Sequence, residues 1–576
     1  MQAPAISPSV RMYLLGATFA VCGIFLIYRL FTFQVREHES YSRLASNAHR
    51  ETITVPAQRG ALLDTNGYAL AISVPFDAVE VVGTQIKNAD ETALLLAAAL
   101  EMPIPEVAAK IDPTNNRAII VKDRLPAAVA DRVRDIVKAK NLSGVRLAQL
   151  PARQYPEGSI AAQVLGFVGS DGNGLTGLEV QFDTELMGTP SQIQTETDVV
   201  GRELILARRV VTPGRAGTDV VLTIDRFVQR TAESILAEAV RVNKAIGGMI
   251  LVMEPSTGAI LAMASAPTFA LSDSTEFRAT EQHLYKPVPV TNQYEPGSVM
   301  KVVTMAAGLD QNVVTPTSTV QDSGMVQIGV DKIFNWDKNG NGTITMTDVL
   351  VRSSNVGANF VASRLGKDRF YQYLDGFGFG HVTGVELPGE TPGTIRTPKS
   401  ADWAPVDLAT NSFGQGMAVT PLQMLTAVAA IGNDGVRMQP TIVRETIVDG
   451  VVTRNEPKVA RRVINANTAR TLREMMVTVL EQPALQNSRI AGYRVAGKTG
   501  TADFPTNLGY TSGKTFASIA ALMPAEQPRL AVLIRIDAPE AIYGGAVAAP
   551  VLKRLGQELL AYYRIPPTAA TAPTTR

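Results

Sequence analysis

The chain opens on an apolar run. Met12 to Tyr28 gives 17 residues without a charge, and Leu30 to Phe33 extends the run past Arg29. That length sits at the lower limit for a helix crossing a bilayer, so the pattern predicts a spanning segment over residues 11–33. A buried core helix is the competing reading. A cleaved signal peptide fits less well, because Tyr28-Arg29-Leu30-Phe31 has no small-residue cleavage site. An uncleaved signal anchor after a tail at residues 1–10 is the expectation. Arg11 precedes the run and Arg29 and Arg36 lie in or after it, so the positive-inside rule gives no orientation.

Residues 34–220 then mix short strands, turns and two Ala-rich, helix-like segments at 91–100 and 125–140, with no cluster of chemically active groups. From Thr218 the pattern tightens. Thr218–Ile224 reads as a strand leading to a helix over Val228–Val242. A turn signal, Tyr294-Glu295-Pro296-Gly297, precedes an apolar helix expected over Val299–Leu309. Val356–Leu365 is a further helix, and Tyr493-Arg494-Val495-Ala496 alternates as a strand does. The Pro/Thr/Ala-rich end, residues 564–576, reads as disordered. The expected organisation is therefore tail 1–10, anchor 11–33, a first domain 34–220, a larger second domain 221–563 and tail 564–576.

Composition narrows the classes. At 576 residues there is chain for several domains and a large core. A net charge of +1 with 19% charged residues lacks the basic footprint of a nucleic-acid binder. The single cysteine, Cys22, lies in the apolar run, which excludes a disulfide and any CxxC pair.

Three short motifs carry the candidate chemistry: Ser298-Val-Met-Lys301, then Ser353-Ser354-Asn355, then Lys498-Thr499-Gly500-Thr501. Ser298 would open a helix, where free N–H groups and the positive dipole end favour a developing alkoxide. Lys301 follows three residues later on the same face, and a buried amine beside a second cation, Lys498, has the depressed pKa of a general base. Ser353 can relay a proton and the Asn355 amide can hold a peptide group. Gly500 admits a close backbone approach, Lys498 and Thr499 suit a carboxylate, and the Thr501 N–H can face an oxyanion. Read singly, these are an N-cap serine with a solvated lysine, a helix cap, and a turn. Their order favours acyl transfer through a serine ester. The four histidines, His38, His49, His283 and His381, lie away from all three motifs, so a Ser-His-Asp triad is the poorer account.

Asp337-Lys-Asn339-Gly-Asn341-Gly342, ending on Asp348, has oxygen side chains at calcium-loop spacing. The last ligand is Asp rather than Glu, and Val326 to Trp336 before it is strand-like where an EF-hand needs a helix. A Gly/Asn turn explains the pattern equally well, and no metal or other cofactor is expected.

The ordered motifs resemble those of class B penicillin-binding proteins, the membrane-anchored peptidoglycan D,D-transpeptidases. Arg59-Gly60 to Asn66-Gly67, Arg153-Gln-Tyr155-Pro156, Gly166-Phe-Val-Gly169 and Gly174 to Glu179 are similar to that family's amino-terminal and pedestal signatures. Gly258 to Ser265 resembles the strand before the catalytic helix. Ser412-Phe413-Gly414-Gln415-Gly416 and Thr420-Pro421-Leu422-Gln423 are similar to the segment between the second and third motifs. The resemblance implies an α+β multidomain chain: one transmembrane helix, an elongated mixed α/β pedestal, and a transpeptidase domain whose antiparallel sheet is covered by helices. It implies Ser298 as nucleophile, Lys301 as base, Ser353 and Asn355 as catalytic partners, and Lys498, Thr499, Gly500 and Thr501 as substrate-binding residues. Substrates would be D-Ala-D-Ala stem peptides, with β-lactams as inhibitors. Asn355 and Thr499 point to the division-type (FtsI-like) branch rather than the elongation type. Its implied partners are a SEDS glycosyltransferase (FtsW-like) and other divisome proteins, at the cytoplasmic membrane with the catalytic domain outside. A hydrolase with the same motifs, a β-lactam-sensing receptor and a non-catalytic scaffold are the alternatives.

Overall fold

The computed structural model describes residues 7–41, 50–196, 210–271, 278–506, 509–541 and 543–568. Parts of the expected tails, 1–6 and 569–576, lie outside the described residues. The chain divides into two compact units, each assembled from three segments.

The first unit comprises Met1–Ala57, Pro75–Pro151 and Thr189–Arg215. It holds the apolar helix Pro8–Phe31, which continues as a wider turn through Arg36 and is long and apolar enough to cross a membrane. It also holds a small core: Val79 and Val81 pack with Leu96 and Leu100 of helix Ala89–Leu100 and with Ala130 and Val133 of helix Ala127–Lys140. Both helices fall on the expected Ala-rich segments. Asn88 accepts from the Glu91 N–H to start the first, and Glu101 ends it in the left-handed region.

The second unit comprises Gln58–Val74, Ala152–Gly188 and Ala216–Arg576. Its centre is a five-stranded antiparallel sheet in the order Ile260–Ala266, Gly247–Met253, Leu530–Asp537, Gly509–Met523, Ala496–Thr506. The inner strands are apolar on both sides, as in Met249-Ile-Leu-Val-Met253, because both faces are covered. Helices Arg226–Val242 and Gly544–Tyr562 pack on one face, and Pro421–Gly432 and Ala466–Leu480 on the other. The helix after Thr218–Ile224 starts where Asp225 accepts from the Phe227 and Val228 amides. Thr420-Pro421-Leu422-Gln423 is a capping box with proline at the first turn, and Gln423 also donates to the His381 and Pro392 carbonyls.

The amino-terminal signatures are structural. Glu179 is fully buried between two arginines: Arg59 Nε donates to one carboxylate oxygen at 2.7 Å and Arg153 Nε to the other at 2.6 Å. Arg59 also reaches Asp183 at 2.7 Å, and Arg153 caps the Gly60 carbonyl at 2.7 Å.

One local expectation shifts. The strand bearing the third motif begins at Ala496, so Lys498-Thr499-Gly500-Thr501 lies within it and does not follow it. Tyr493 instead turns, its N–H donating to Ile490 O and its hydroxyl to Ile565 O. Val326–Trp336, strand-like by pattern, forms a hairpin of Met325–Ile328 with Asp331–Phe334. In the calcium-like segment, Asp348 closes a capping box with Thr345, and Asn341 donates its amide to Asp322 at 2.8 Å.

Candidate active site

The turn that carries Ser298 is held from both ends. Tyr294 exchanges backbone hydrogen bonds with Val419, and the Gly297 N–H donates to Gly414 O at 3.0 Å. A 3₁₀ turn, Gly297–Met300, carries Ser298 and runs into helix Lys301–Asp310. The helix thus starts slightly later than the apolar pattern suggests, with Ser298 still at its mouth. Residues Lys301 to Leu309 are all buried, so the helix is packed on every side. Thr304 Oγ1 ties it to Ser412 O at 2.7 Å. A Cβ on Gly414 would stand 2.4 Å from Gly297 O, which is why this segment needs glycine beside the turn.

The second motif joins helix Met346–Val351 to helix Asn355–Leu365. Ser353 sits between them at φ +57°, left-handed for a residue with a Cβ. Ser354 caps the second helix by accepting from the Gly357 N–H at 2.9 Å. The third motif lies on Ala496–Thr506, at the edge of the sheet order. What the missing Gly500 side chain admits is the protein itself: its Cβ would meet Ser518 Oγ at 2.5 Å and Val299 Cγ2 at 2.9 Å. The edge strand can therefore close on the Ser298 turn.

These three elements bring four polar groups into one chain. Lys301 Nζ donates to Ser298 Oγ at 2.8 Å, to Ser353 O at 2.6 Å and to Ser353 Oγ at 3.1 Å. Lys498 Nζ donates to the same Ser353 Oγ at 3.1 Å and to Thr499 O at 2.9 Å. Both lysines are 1% exposed. Burial drives the Lys301 pKa well below 10.5, the Lys498 charge adds to that, and Asp322 partly opposes it. Burial alone brings Lys498 down to about 7. An ammonium has three N–H donors and no lone pair. The neutral Lys301 amine favoured by burial has a lone pair to offer the Ser298 hydroxyl.

The remaining expected residues flank this chain. Thr501 Oγ1 accepts from the Gly544 N–H at 3.1 Å, Thr499 is half-buried, and Asn355 Nδ2 donates to Phe334 O at 2.8 Å. Two residues the motifs do not announce stand behind the second motif. Asn335 Oδ1 accepts from the Asn355 N–H at 2.9 Å, and its Nδ2 donates to both oxygens of buried Asp322 at 2.8 and 2.9 Å. Only the polar residues of the Gly/Asn turn hinted at them.

A buried lysine on a serine hydroxyl, beneath an edge strand bearing a second buried lysine, defines the penicillin-binding serine acyltransferase class. The chain belongs to the class B penicillin-binding proteins, the D,D-transpeptidase family: residues 248–557 match the penicillin-binding protein transpeptidase domain and 54–222 the penicillin-binding protein dimerisation domain. It is 32% identical over 561 residues to stage V sporulation protein D of Bacillus subtilis, covering 96% of this chain and 86% of that protein. It is 30% identical over 571 residues to peptidoglycan D,D-transpeptidase FtsI of Escherichia coli K12, covering 98% and 93%. Among solved structures, penicillin-binding protein 3 of Mycobacterium tuberculosis, complexed with aztreonam, superposes with a TM-score of 0.69 at 28% identity, covering 90% of this chain and 98% of that one. The two-domain, mixed α/β architecture with one amino-terminal apolar helix agrees with the sequence reading.

Proposed function

We propose that this chain cross-links peptidoglycan stem peptides during septal wall synthesis, through an acyl-enzyme on Ser298. Neutral Lys301 takes the Ser298 proton as Oγ attacks the penultimate D-Ala carbonyl. The oxyanion is held by the Ser298 and Thr501 backbone N–H groups, each such donor typically contributing about 3–4 kcal/mol. Lys498, Thr499 and Thr501 hold the terminal carboxylate on the strand that Gly500 lets close, and Asn355 aligns the donor stem. The proton passes from Lys301 through Ser353 to the departing D-Ala nitrogen as the C–N bond breaks. The amine of a neighbouring stem then attacks the ester, giving its proton to Lys301, and Lys301 returns it to Ser298 Oγ as the ester C–O bond breaks and the cross-link forms. The observation that carries this reading is the 2.8 Å contact between Lys301 Nζ and Ser298 Oγ in a site where the amine is buried.

The division role is supported by Asn355 in Ser-Ser-Asn, by Thr499 in Lys-Thr-Gly, and by the near full-length likeness to FtsI. The amino-terminal helix anchors the chain in the cytoplasmic membrane once, with the catalytic domain outside, where its substrate is. A SEDS glycosyltransferase (FtsW-like) supplies glycan strands, and other divisome proteins bring the two together. The test is depletion of the protein with complementation in its own host. Filaments rescued by the parent but not by Ser298→Ala are expected. Swollen, still-dividing cells would favour an elongation role, and rescue by Ser298→Ala would leave a scaffold.

A further inference from the structure

Ser353, the one hydroxyl among the described residues that touches both site lysines, is the left-handed residue that ends helix Met346–Val351: its N–H donates to Leu350 O at 3.3 Å and the Ser354 N–H to Val349 O at 3.0 Å. What fixes the other side of Ser353, the start of helix Asn355–Leu365, comes from a distant part of the chain. Asn335 Oδ1 accepts from the Asn355 N–H at 2.9 Å and from the Val356 N–H at 3.3 Å, two first-turn amides with no partner inside their own helix. The Ser354 hydroxyl points to the same oxygen at 3.4 Å.

An amide side chain can present its oxygen this way only if its nitrogen is also committed. Asn335 Nδ2 donates to Asp322 Oδ1 at 2.8 Å, to Asp322 Oδ2 at 2.9 Å and to Asn339 O at 3.0 Å. Asp322 is in turn fixed by the Gly324 N–H at 2.9 Å and by Asn341 Nδ2 at 2.8 Å. The carboxylate and the amide are 1% and 3% exposed, so water does not substitute for either partner. Although burial works against its charge, hydrogen bonds from Asn341, the Gly324 N–H, Ser354 and Asn335 hold the Asp322 carboxyl below its ordinary pKa.

We infer that Asp322 and Asn335 are positioning residues for acyl transfer: the buried carboxylate orients the Asn335 amide, whose oxygen fixes the start of helix Asn355–Leu365 and so holds Ser353 between the two lysines. Neither residue touches substrate, and the inference rests on the proposed role of Ser298 and Lys301. It explains why the Gly/Asn turn imitates an ion-binding loop. The Asn341 side chain of that turn serves a buried carboxylate of the protein itself.

The test uses the full chain with fluorescent penicillin, reading the limiting acylation rate separately from the half-saturating concentration. Asp322→Asn is isosteric but sets an amide donor against the Asn335 donor. We expect the limiting rate to fall about 10- to 100-fold, as for a catalytic group slightly misplaced, with half-saturation nearly unchanged. Asn335→Asp alone faces two carboxylates and should fall as far. Combining Asp322→Asn with Asn335→Asp again pairs donor with acceptor and keeps an oxygen for the Asn355 N–H, so most of the rate should return. If a single variant does not fold, the double variant is read against the parent, and acylation within tenfold supports the inference. An Asp322→Asn protein that acylates at the parent rate, or a folded double variant as slow as the singles, overturns it. Label persisting on Ser298→Ala would instead overturn the reading of the nucleophile, which separates the two failures.

Discussion

Lys301 and Lys498 share one acceptor, each Nζ lying 3.1 Å from Ser353 Oγ. Two amines on either side of a single hydroxyl, each almost wholly removed from water, disfavour a second positive charge. The Lys301 pKa, lowered well below 10.5 first by burial and then by Lys498, makes the neutral amine far more available as a base than an ordinary lysine. Acylation of the parent should therefore rise with pH along a limb well below 10.5. Replacing Lys498 with Met removes the neighbouring charge, so the limb should move to higher pH on a lower overall rate. A pH series of fluorescent-penicillin acylation on both proteins measures this.

The same burial has a stability consequence. Lys498 titrates near 7 in the folded protein against an ordinary 10.5. Below about 7 the folded state bears the full penalty of holding a charge it resists. Between about 7 and 10.5 the folded amine is neutral while the unfolded one still binds a proton, so the penalty shrinks as pH rises and vanishes above that window. Stability of the parent relative to Lys498→Met should increase across this range by up to about 1.4 kcal/mol per pH unit. Paired melts from pH 6 to 10 check it, and a flat difference would contradict the burial argument.

Gly544 tests how closely the edge strand is held. A Cβ there would lie 2.2 Å from Gly500 O and 2.7 Å from Ser518 O, all backbone that cannot swing aside. Gly544→Ala should displace the helix start from the strand and weaken the Gly544 N–H to Thr501 contact. We expect a stability loss of about 1–3 kcal/mol, with acylation falling more than the folded fraction does. Denaturant melts beside acylation rates measure both.

The Arg59–Glu179–Arg153 cluster should act on folding alone. Glu179→Gln leaves two guanidiniums buried against a neutral amide, although Arg59 keeps Asp183. Breaking a buried pair of this kind loses about 3–5 kcal/mol. Chemical denaturation should show that loss, while acylation per folded molecule stays at the parent level.

Much of the site was legible because its chemistry is local. Ser298 and Lys301 are one turn apart, and the segments at Ala89–Leu100, Ala127–Lys140 and Arg226–Val242 carry helical periodicity and caps of their own. The third strand was placed too early. Lys498-Thr-Gly-Thr is poor strand sequence in isolation, and it is extended because Thr499 pairs with Ile519 and Gly500 with Ser518 across the sheet. Asp322 and Asn335 were invisible for a similar reason. They lie more than 20 and exactly 20 positions from the Asn355 amide they help fix, and only the fold makes them neighbours. The calcium-like spacing of Asp337 to Asp348 was the one trace of that network, read as a turn because turn residues and buried-network residues are the same Asn, Asp and Gly.

On this mechanism Ser298 carries the acyl group and Lys301 is its base. The most direct measurement is intact mass of the purified protein after incubation with penicillin, beside Ser298→Ala and Lys301→Met, followed over hours. One stable adduct is expected on the parent, none on Ser298→Ala, and slow, incomplete labelling of Lys301→Met. An adduct on Ser298→Ala, or parent label shed within minutes as a hydrolase would shed it, would contradict the account.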